Sequence, residues 1–462
     1  MSTAPERHRV LSGLLFFPRG GSAHVARALA RELPRHGWDV TLVSGSRSDL
    51  GAEGDARRFY TGVDARAVDF TPALLSGRDP MAFEAATGQA PMQPSFEDRP
   101  GAADRVFAML DDDDAERQAG AWATALARAG ATHADVLHLH HLTPLNAAAA
   151  RAAPDVPVVG HLHGTELLFL EQVAARPPPE WAYAERWAER MREWAVRCRS
   201  LIATSTDGLD RAASLLDVPT TRFTLLPNGF DADRFFAAEV DRAAHWRTHL
   251  VERPKGWRPG VGPGSVGYSE EDLAGFDPGP VLLYVGRFTE VKRVPLLVRA
   301  YARARERFHT RAPLVLVGGH PGEWEGEHPL ETIEALAVPD VFLAGWHDHD
   351  ELPDFLRAAD VLVIPSVREQ FGQVIVEAMA CERPAIAVRR YGPAEIVEHG
   401  ETGWLVEPDD EAGLAHALVD AVNRPEDRAR RGRRAGDVAR GRYAWSRVAE
   451  RMASTLEATL RS

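Results

Sequence analysis

Cysteine is scarce: Cys198 and Cys381 are the only two in 462 residues. They lie far apart, so neither a disulfide framework nor a CxxC metal spacing can be built, and a reducing, cytoplasmic setting fits. Long apolar runs are lacking as well; none approaches the roughly eighteen residues needed to cross a bilayer. Met1 to Arg9 is polar and leads straight into a strand-like Val10 to Phe17, without the apolar core and cleavage site of a signal peptide. Positive charge is in deficit, with 54 basic against 67 acidic residues and a net charge of −13. A field of that sign repels phosphate backbones and anionic lipid, which disfavours nucleic-acid binding. No repeat of fixed period is visible, so a solenoid is excluded.

What is present is ample material for cores. The chain is 45% hydrophobic and 26% charged, which argues against disorder, and its length calls for two or three domains. Strand-length apolar runs alternate with helical periodicity, the pattern of parallel sheets with crossover helices. In the first half the strands are expected at Val10 to Phe17, Val40 to Val43, Val136 to Leu139, Val158 to Leu162, Leu201 to Thr204 and Phe223 to Leu226. After Val10 to Phe17, the turn Pro18-Arg19-Gly20-Gly21-Ser22 leads into a helix faced by Val25, Leu29 and Leu33. The alternation fades over about 45–118, which reads as an insertion, and again over 237–280, where Pro and Gly suggest a linker carrying an insertion of its own. It restarts with strands Val281 to Val285, Leu314 to Val317, Val341 to Ala344 and Val361 to Ile364. The expected architecture is α/β, with two doubly wound, Rossmann-like domains.

The densest constellation follows Val361 to Ile364 and runs from Ser366 through Glu369, Phe371, Gly372, Gln373 and Glu377 to Ala380. Ligands of open parallel sheets bind beyond the carboxyl ends of strands, and here a loop with one carboxylate opens a helix whose free N–H groups attract anions. Glu369 and Glu377 suit sugar and ribose hydroxyls, because an ionised carboxylate accepts from two vicinal hydroxyls at once. A bare pair of acids at this spacing is common on helix surfaces, so the context has to carry the reading. Arg287 and Lys292 follow another strand end, where two cations can hold a diphosphate and neutralise charge on a departing nucleoside diphosphate. Gly20 and Gly21 let the backbone approach a phosphate or a sugar, although a tight turn would use them equally well. They do not form the G-x-G-x-x-G of a nicotinamide enzyme.

Five histidines, His138, His140, His141, His161 and His163, cluster at two strand ends. Alternation puts His138 with His140, and His161 with His163, on common faces. Three could bind zinc, but with no acid or cysteine in ligand spacing the expectation is packing, and no metal is assigned. Asp111 to Asp114 reads as a solvated helix start rather than a metal-binding DxD. The stripe Trp187, Met191, Trp194 and Cys198, flanked by arginines and glutamates, reads as core-facing, with a membrane-surface role the disfavoured alternative.

Taken together these strings resemble glycosyltransferase family 4, the retaining group with a GT-B fold. The E-x7-E string Glu369 to Glu377, the G-R-x4-K string Gly286 to Lys292, the P-N-G-x-D turn Pro227 to Asp231, Gly20-Gly21, His161 to Glu166 and Glu395 to Val406 match in order and location. The match spans about Val10 to Val422 apart from the two insertions. The resemblance implies a retaining, metal-independent glycosyltransferase that takes a nucleotide-sugar donor, needs no further cofactor, and passes the sugar to an acceptor of unknown identity. Residues 1–236 would form the acceptor-side domain and 281–440 the nucleotide-sugar domain, with 441–462 a helix crossing back to the first and the two lobes facing a cleft. Arg287 and Lys292 would hold the diphosphate, Glu377 the ribose, and Glu369 the transferred sugar. His163 would contact that sugar near the reacting carbon, with Gly20, Gly21, Phe371, Gly372 and Gln373 lining the donor. A nucleotide-sugar epimerase or glycan phosphorylase on the same fold is the alternative, and a non-catalytic nucleotide-sugar binding protein a more distant one. Two strings depart from the pattern: Gln373 replaces an aliphatic residue, and Arg390 to Ala394 lacks the usual Gly-Gly-Pro form.

Overall fold

The computed structural model describes residues 7–18, 20–97, 102–277, 279–321 and 324–461. It divides into two compact units, Met1–Asn228 with Trp445–Ser462, and Gly229–Ala444. Arg19 of the first glycine turn lies outside the described residues.

The first unit holds seven strands: β1 (His8–Leu14), β2 (Trp38–Ser46), β3 (Asp64–Asp69), β4 (Val136–His140), β5 (Val158–His161), β6 (Ser200–Ala203) and β7 (Phe223–Leu225). All pair in parallel, in the order β3-β2-β1-β4-β5-β6-β7. A parallel sheet needs helices over both faces, and side chains alternate between those faces. Val10, Val136, Val159 and Ile202 pack against Val25 and Leu29 of the helix Gly21–Glu32 and against Met452 and Leu456 of the helix Trp445–Arg461. Leu11, Leu137 and Leu139 face the other way, toward Trp122, Leu145 and Trp187. The final helix therefore belongs to the core of the first unit.

Trp187, Met191, Trp194 and Cys198 are buried in that core, while Arg186 and Arg190 on the outer face pair with Asp112. Asp111 caps the helix Asp112–Arg128, its carboxylate accepting from the Asp114 N–H at 2.9 Å. The irregular stretch 45–118 contributes β3, an edge strand paired to β2.

The second unit holds six parallel strands: β8 (Leu282–Val285), β9 (Leu314–Val317), β10 (Val341–Gly345), β11 (Val361–Ile364), β12 (Ala385–Val388) and β13 (Gly403–Val406). Their order is β10-β9-β8-β11-β12-β13. Residues 237–280 differ from the expected linker. They open the second unit with the helix Arg242–Arg247, and Trp246, Leu250 and Trp257 are buried in its core. The Trp257 indole N–H donates to the Gly319 carbonyl at 2.5 Å. Two buried tryptophans bring enough apolar area to fold a Pro- and Gly-rich segment onto a domain.

Each sheet reverses its strand order at one place, between β1 and β4 in the first unit and between β8 and β11 in the second. Beyond the carboxyl ends of such a pair the crossover helices diverge to opposite faces and leave a crevice, which is where open α/β sheets take ligands.

Candidate functional site

At the β8/β11 reversal two loops meet. The chain leaving β8 passes Arg287, which is exposed, and makes a short turn over Glu290–Lys292. The chain leaving β11 is tied to it: the Val367 N–H donates to the Val291 carbonyl at 2.9 Å, and the Ser366 hydroxyl donates to the same oxygen at 3.3 Å. That tie sets Lys292 against Glu369, and the two form an ion pair. Arg287 has no ion-pair partner among the described residues. Behind Arg287, burial pushes the Tyr284 hydroxyl well above its ordinary value, with the Glu369 charge adding to the effect. Its O–H donates to the Arg287 carbonyl at 2.7 Å and fixes the loop.

Gly372 precedes the helix Gln373–Ala380 at φ +100°, a backbone state that L side chains rarely adopt. Phe371 beside it is buried. A Cβ on Gly392 would stand 2.2 Å from the Phe371 carbonyl oxygen, so the chain after β12 presses directly on this loop. Tyr391, in the string that departs from Gly-Gly-Pro, takes φ +54°. That is the conformation a glycine would adopt without strain.

Glu377 is not the surface acid that a helical E-x7-E suggests, for its side chain is 3% exposed. Burying a carboxylate costs several kcal/mol unless donors compensate. Here the Gln373 amide donates to Glu377 Oε1 at 3.1 Å, and the His349 Nε2 lies 2.9 Å from the same oxygen. The Gln373 amide also donates to the Gly229 carbonyl at 2.8 Å. The unexpected residue at position 373 thus orients Glu377 and ties the helix to the start of the unit. His349 and Gly392 carry no sequence signal of their own, since their roles arise from tertiary approach.

The first unit presents different chemistry at β1/β4. Gly20 begins the helix Gly21–Glu32 at φ −127°, and a Cβ on Gly20 or Gly21 would meet no described atom within 4 Å. Neither glycine is demanded by the turn, since neither takes a positive φ or lacks room for a Cβ. On the same sheet face, register sets His140 opposite His161 and Ser12 opposite His138. His138 Nε2 lies 3.2 Å from His161 Nδ1, His140 Nδ1 lies 2.9 Å from His163 Nε2, and the Ser12 hydroxyl lies 3.0 Å from His138 Nδ1. Burial pushes His138 down to about 3 and holds His140, His161 and His163 well below the ordinary histidine range, so all four rings are neutral.

The acid missing from the sequence reading is Glu166. It is fully buried, 3.3 Å from His141 Nδ1, and accepts from the His163 backbone N–H at 3.0 Å. Burial raises its pKa, but the interaction with His141 and the hydrogen bonds outweigh that, and the net shift is downward. The signal lay in the spacing His163-Gly164-Thr165-Glu166, in which a carboxylate three residues on reaches back to an N–H ahead of the helix.

Comparison with known proteins matches both units. A model described as Glycosyltransferase Family 4 matches residues 19–234, and one described as Glycosyl transferases group 1 matches 270–437. Glycogen synthase of Mycobacterium tuberculosis (strain CDC 1551 / Oshkosh) is 30% identical over 321 residues, covering 68% of this chain and 66% of that protein. D-inositol 3-phosphate glycosyltransferase 2 of Catenulispora acidiphila is 32% identical over 252 residues, covering 50% and 57%. The chain therefore spans just under two thirds, or less, of the length of these curated relatives. Among solved structures, Anabaena Alr3699/HepE in complex with UDP aligns over 97% of this chain and 100% of that one, at 17% identity and a TM-score of 0.64. The catalytic domain of starch synthase IV from Arabidopsis thaliana, bound to ADP and acarbose, aligns over 99% and 100% at 16% identity and a TM-score of 0.62. At such identity these two speak for the fold alone, and the fold is GT-B, built of two Rossmann-like domains. With family models over both units and a strand-end constellation in each, the chain belongs to glycosyltransferase family 4.

Proposed function

We propose that this protein is a retaining glycosyltransferase that moves a sugar from a nucleotide-sugar donor to an acceptor hydroxyl. The observation that carries the proposal is the β8/β11 reversal, beyond which Arg287 and the Lys292–Glu369 ion pair stand on two tied loops and the buried Glu377 on the helix that follows. A diphosphate needs cations and a ribose needs a fixed acceptor, and this constellation supplies both. An incoming diphosphate would draw Lys292 from Glu369, freeing that carboxylate for the transferred sugar as the phosphates bind. Glu377, held by Gln373 and His349, would accept the ribose hydroxyls. Gly20 and Gly21 would offer backbone N–H groups to the donor, and His163 would contact the sugar beside the reacting carbon.

The family's mechanism, carried to this chain, needs no divalent ion at the diphosphate, because Arg287 and Lys292 supply the charge that a metal would bring. It also retains configuration: acceptor and leaving group share one face of the sugar, and the departing phosphate takes the acceptor's proton. Inversion would need a general base on the far face, and no acid in the matched motifs is an obvious candidate.

The solved relatives hold UDP and ADP, so the test begins with uridine, adenosine and guanosine diphosphates in a thermal-shift screen. A ligand that binds only the folded state raises the melting temperature. One diphosphate and its sugar should do so, and free diphosphate should be released only when an acceptor is added. Hydrolysis or epimerisation without acceptor would overturn the transferase reading. Activity abolished by EDTA and restored by magnesium or manganese would overturn metal independence, and an inverted anomeric proton coupling in the product would overturn retention.

A further inference from the structure

The histidine group of the first unit does more than pack. His138, His140 and His161 each offer a ring nitrogen, and these nitrogens all lie within 4.8 Å of one another. All three rings are buried. One nitrogen of the set, His140 Nε2, has no hydrogen-bond partner. An orphaned buried polar atom costs about 1 to 3 kcal/mol, so a fold that keeps one inside such a group is expected to satisfy it. We propose that His138, His140 and His161 bind a first-row divalent cation, zinc being the best match to a set of neutral imidazoles.

Three features of the arrangement support this. First, two alternating histidines on β4 and one directly across on β5 converge from a rigid sheet, and that rigidity fixes ligand geometry without help from loops. Second, the 3.2 Å between His138 Nε2 and His161 Nδ1 is compatible with two nitrogens on one tetrahedral ion, which at bond lengths of about 2.0–2.1 Å stand about 3.3 Å apart. Third, a metal-bound imidazole almost always gives its other N–H to an acceptor, which fixes tautomer and ring plane. For two of the three ligands that acceptor is in place. With Nε2 on the metal, His138 Nδ1–H faces the Ser12 hydroxyl at 3.0 Å and His140 Nδ1–H faces His163 Nε2 at 2.9 Å. Burial keeps the rings unprotonated, as ligation requires.

A second grouping, His249, His347 and Glu351, lacks this character. The Lys255 ammonium lies 3.3 Å from His347 Nδ1 and 3.1 Å from Glu351, and already fills the place of a cation. The metal inferred here is independent of the donor diphosphate. It is linked to the proposed transfer site through His140, whose bound state would make Nδ1–H the donor to His163 and leave the His163 proton on Nδ1.

The test uses the full chain, freed of any affinity tag and produced with zinc in the medium, since a buried site fills most readily during folding. Metal content after exhaustive desalting should be about one zinc per chain, and X-ray absorption should show nitrogen neighbours with no sulfur. Production in cobalt should give the intense visible absorption of tetrahedral cobalt. His140→Gln and His161→Gln should each lose the metal, whereas His141→Gln, outside the set, should retain it. Wild-type chain with less than about a tenth of an equivalent of either metal would overturn the proposal. So would metal retained at full stoichiometry in a folded His140→Gln/His161→Gln variant, or a sulfur neighbour in the absorption spectrum. Should the variants fail to fold, wild-type stoichiometry and the absorption spectrum still decide. Neither readout depends on turnover, so the outcome is separate from that of the transferase proposal.

Discussion

At the carboxyl end of β8 and β11 stand cationic and anionic side chains, Arg287, Lys292, Glu369 and Glu377. At the carboxyl end of β1, β4 and β5 stand four neutral imidazoles and one shielded carboxylate, Glu166. Both units reverse their sheets in the same way, so architecture alone does not decide what a strand-end crevice binds. The second unit's ends suit a ligand that brings phosphate charge. The first unit's ends hold neutral rings fixed by one another, and under the proposed function they meet the uncharged sugar through His163.

The comparison is broken most severely by removing the second unit's cations. Arg287→Ala or Lys292→Ala should lower turnover by about tenfold to a thousandfold through lost stabilisation of the leaving diphosphate. Lys292→Ala also strands Glu369 without its ion-pair partner, so circular dichroism and the melting temperature should be recorded alongside. Both should stay close to wild type. Normal turnover of both variants at saturating donor would remove the phosphate role from this crevice.

The first unit is distinguished by acid rather than by anions. An unfolded histidine titrates near 6.5, while burial pushes His138 down to about 3 in the fold and holds His140, His161 and His163 well below the ordinary value. Between those limits the unfolded chain binds protons that the folded chain does not. Stability therefore rises with pH in this window and is lost as pH falls below about 6.5, at about 1.4 kcal/mol per pH unit for each ring. His245 and His249 of the second unit, pushed by burial to about 3 and about 4, add to the same slope. The informative measurement is therefore a difference. In urea unfolding of metal-free protein from pH 7 to pH 5, His138→Gln should lower the slope by about one proton. An unchanged slope would mean that His138 is protonated in the fold or exchanges with solvent.

How much of this was legible depended on whether a signal was local. The continuous apolar runs of β1, β4, β8, β9, β10 and β11 announced buried parallel strands. Three others were missed. Asp64–Asp69, at a sheet edge, is half-exposed and carries little apolar character, while Ala385–Val388 and Gly403–Val406 are four residues each. The stretch 237–280 reads as a linker because Pro and Gly dominate it, and only Trp246 and Trp257 hinted at a core. Alternation correctly grouped His138 with His140 and His161 with His163. The register that sets His140 opposite His161 is a property of the sheet, and the proximity of Glu166 to His141 likewise appears only when β4 and β5 are side by side. At the second site Glu369 and Glu377 were singled out by their place beyond a strand end and by the family string they belong to, whereas Gln373 as the residue that orients Glu377, and His349 beside it, come from approach in space.

The finest distinction lies within the charged crevice, between its two carboxylates. Glu377 is nearly buried and held by two nitrogen neighbours, so it is positioned before any ligand arrives. Glu369 is engaged by Lys292, and under the proposed function it would become available only when that cation turns to phosphate. A preset acceptor contributes to binding of the bare nucleotide, and a conditional one acts only when a sugar is attached. Calorimetry with the bare nucleoside diphosphate should show Glu377→Ala weakening affinity by a few-fold to about tenfold, the loss of one charge-assisted hydrogen-bond pair. Glu369→Ala should leave that affinity nearly unchanged, or raise it slightly, since Lys292 then meets the diphosphate without first leaving a partner. The cost should instead fall on discrimination between donor sugars, read as a change in the ratio of kcat/KM for two nucleotide-sugars that share a base. Equal weakening by both variants would mean that the carboxylates act as one electrostatic feature, and that the burial difference between them has no counterpart in recognition.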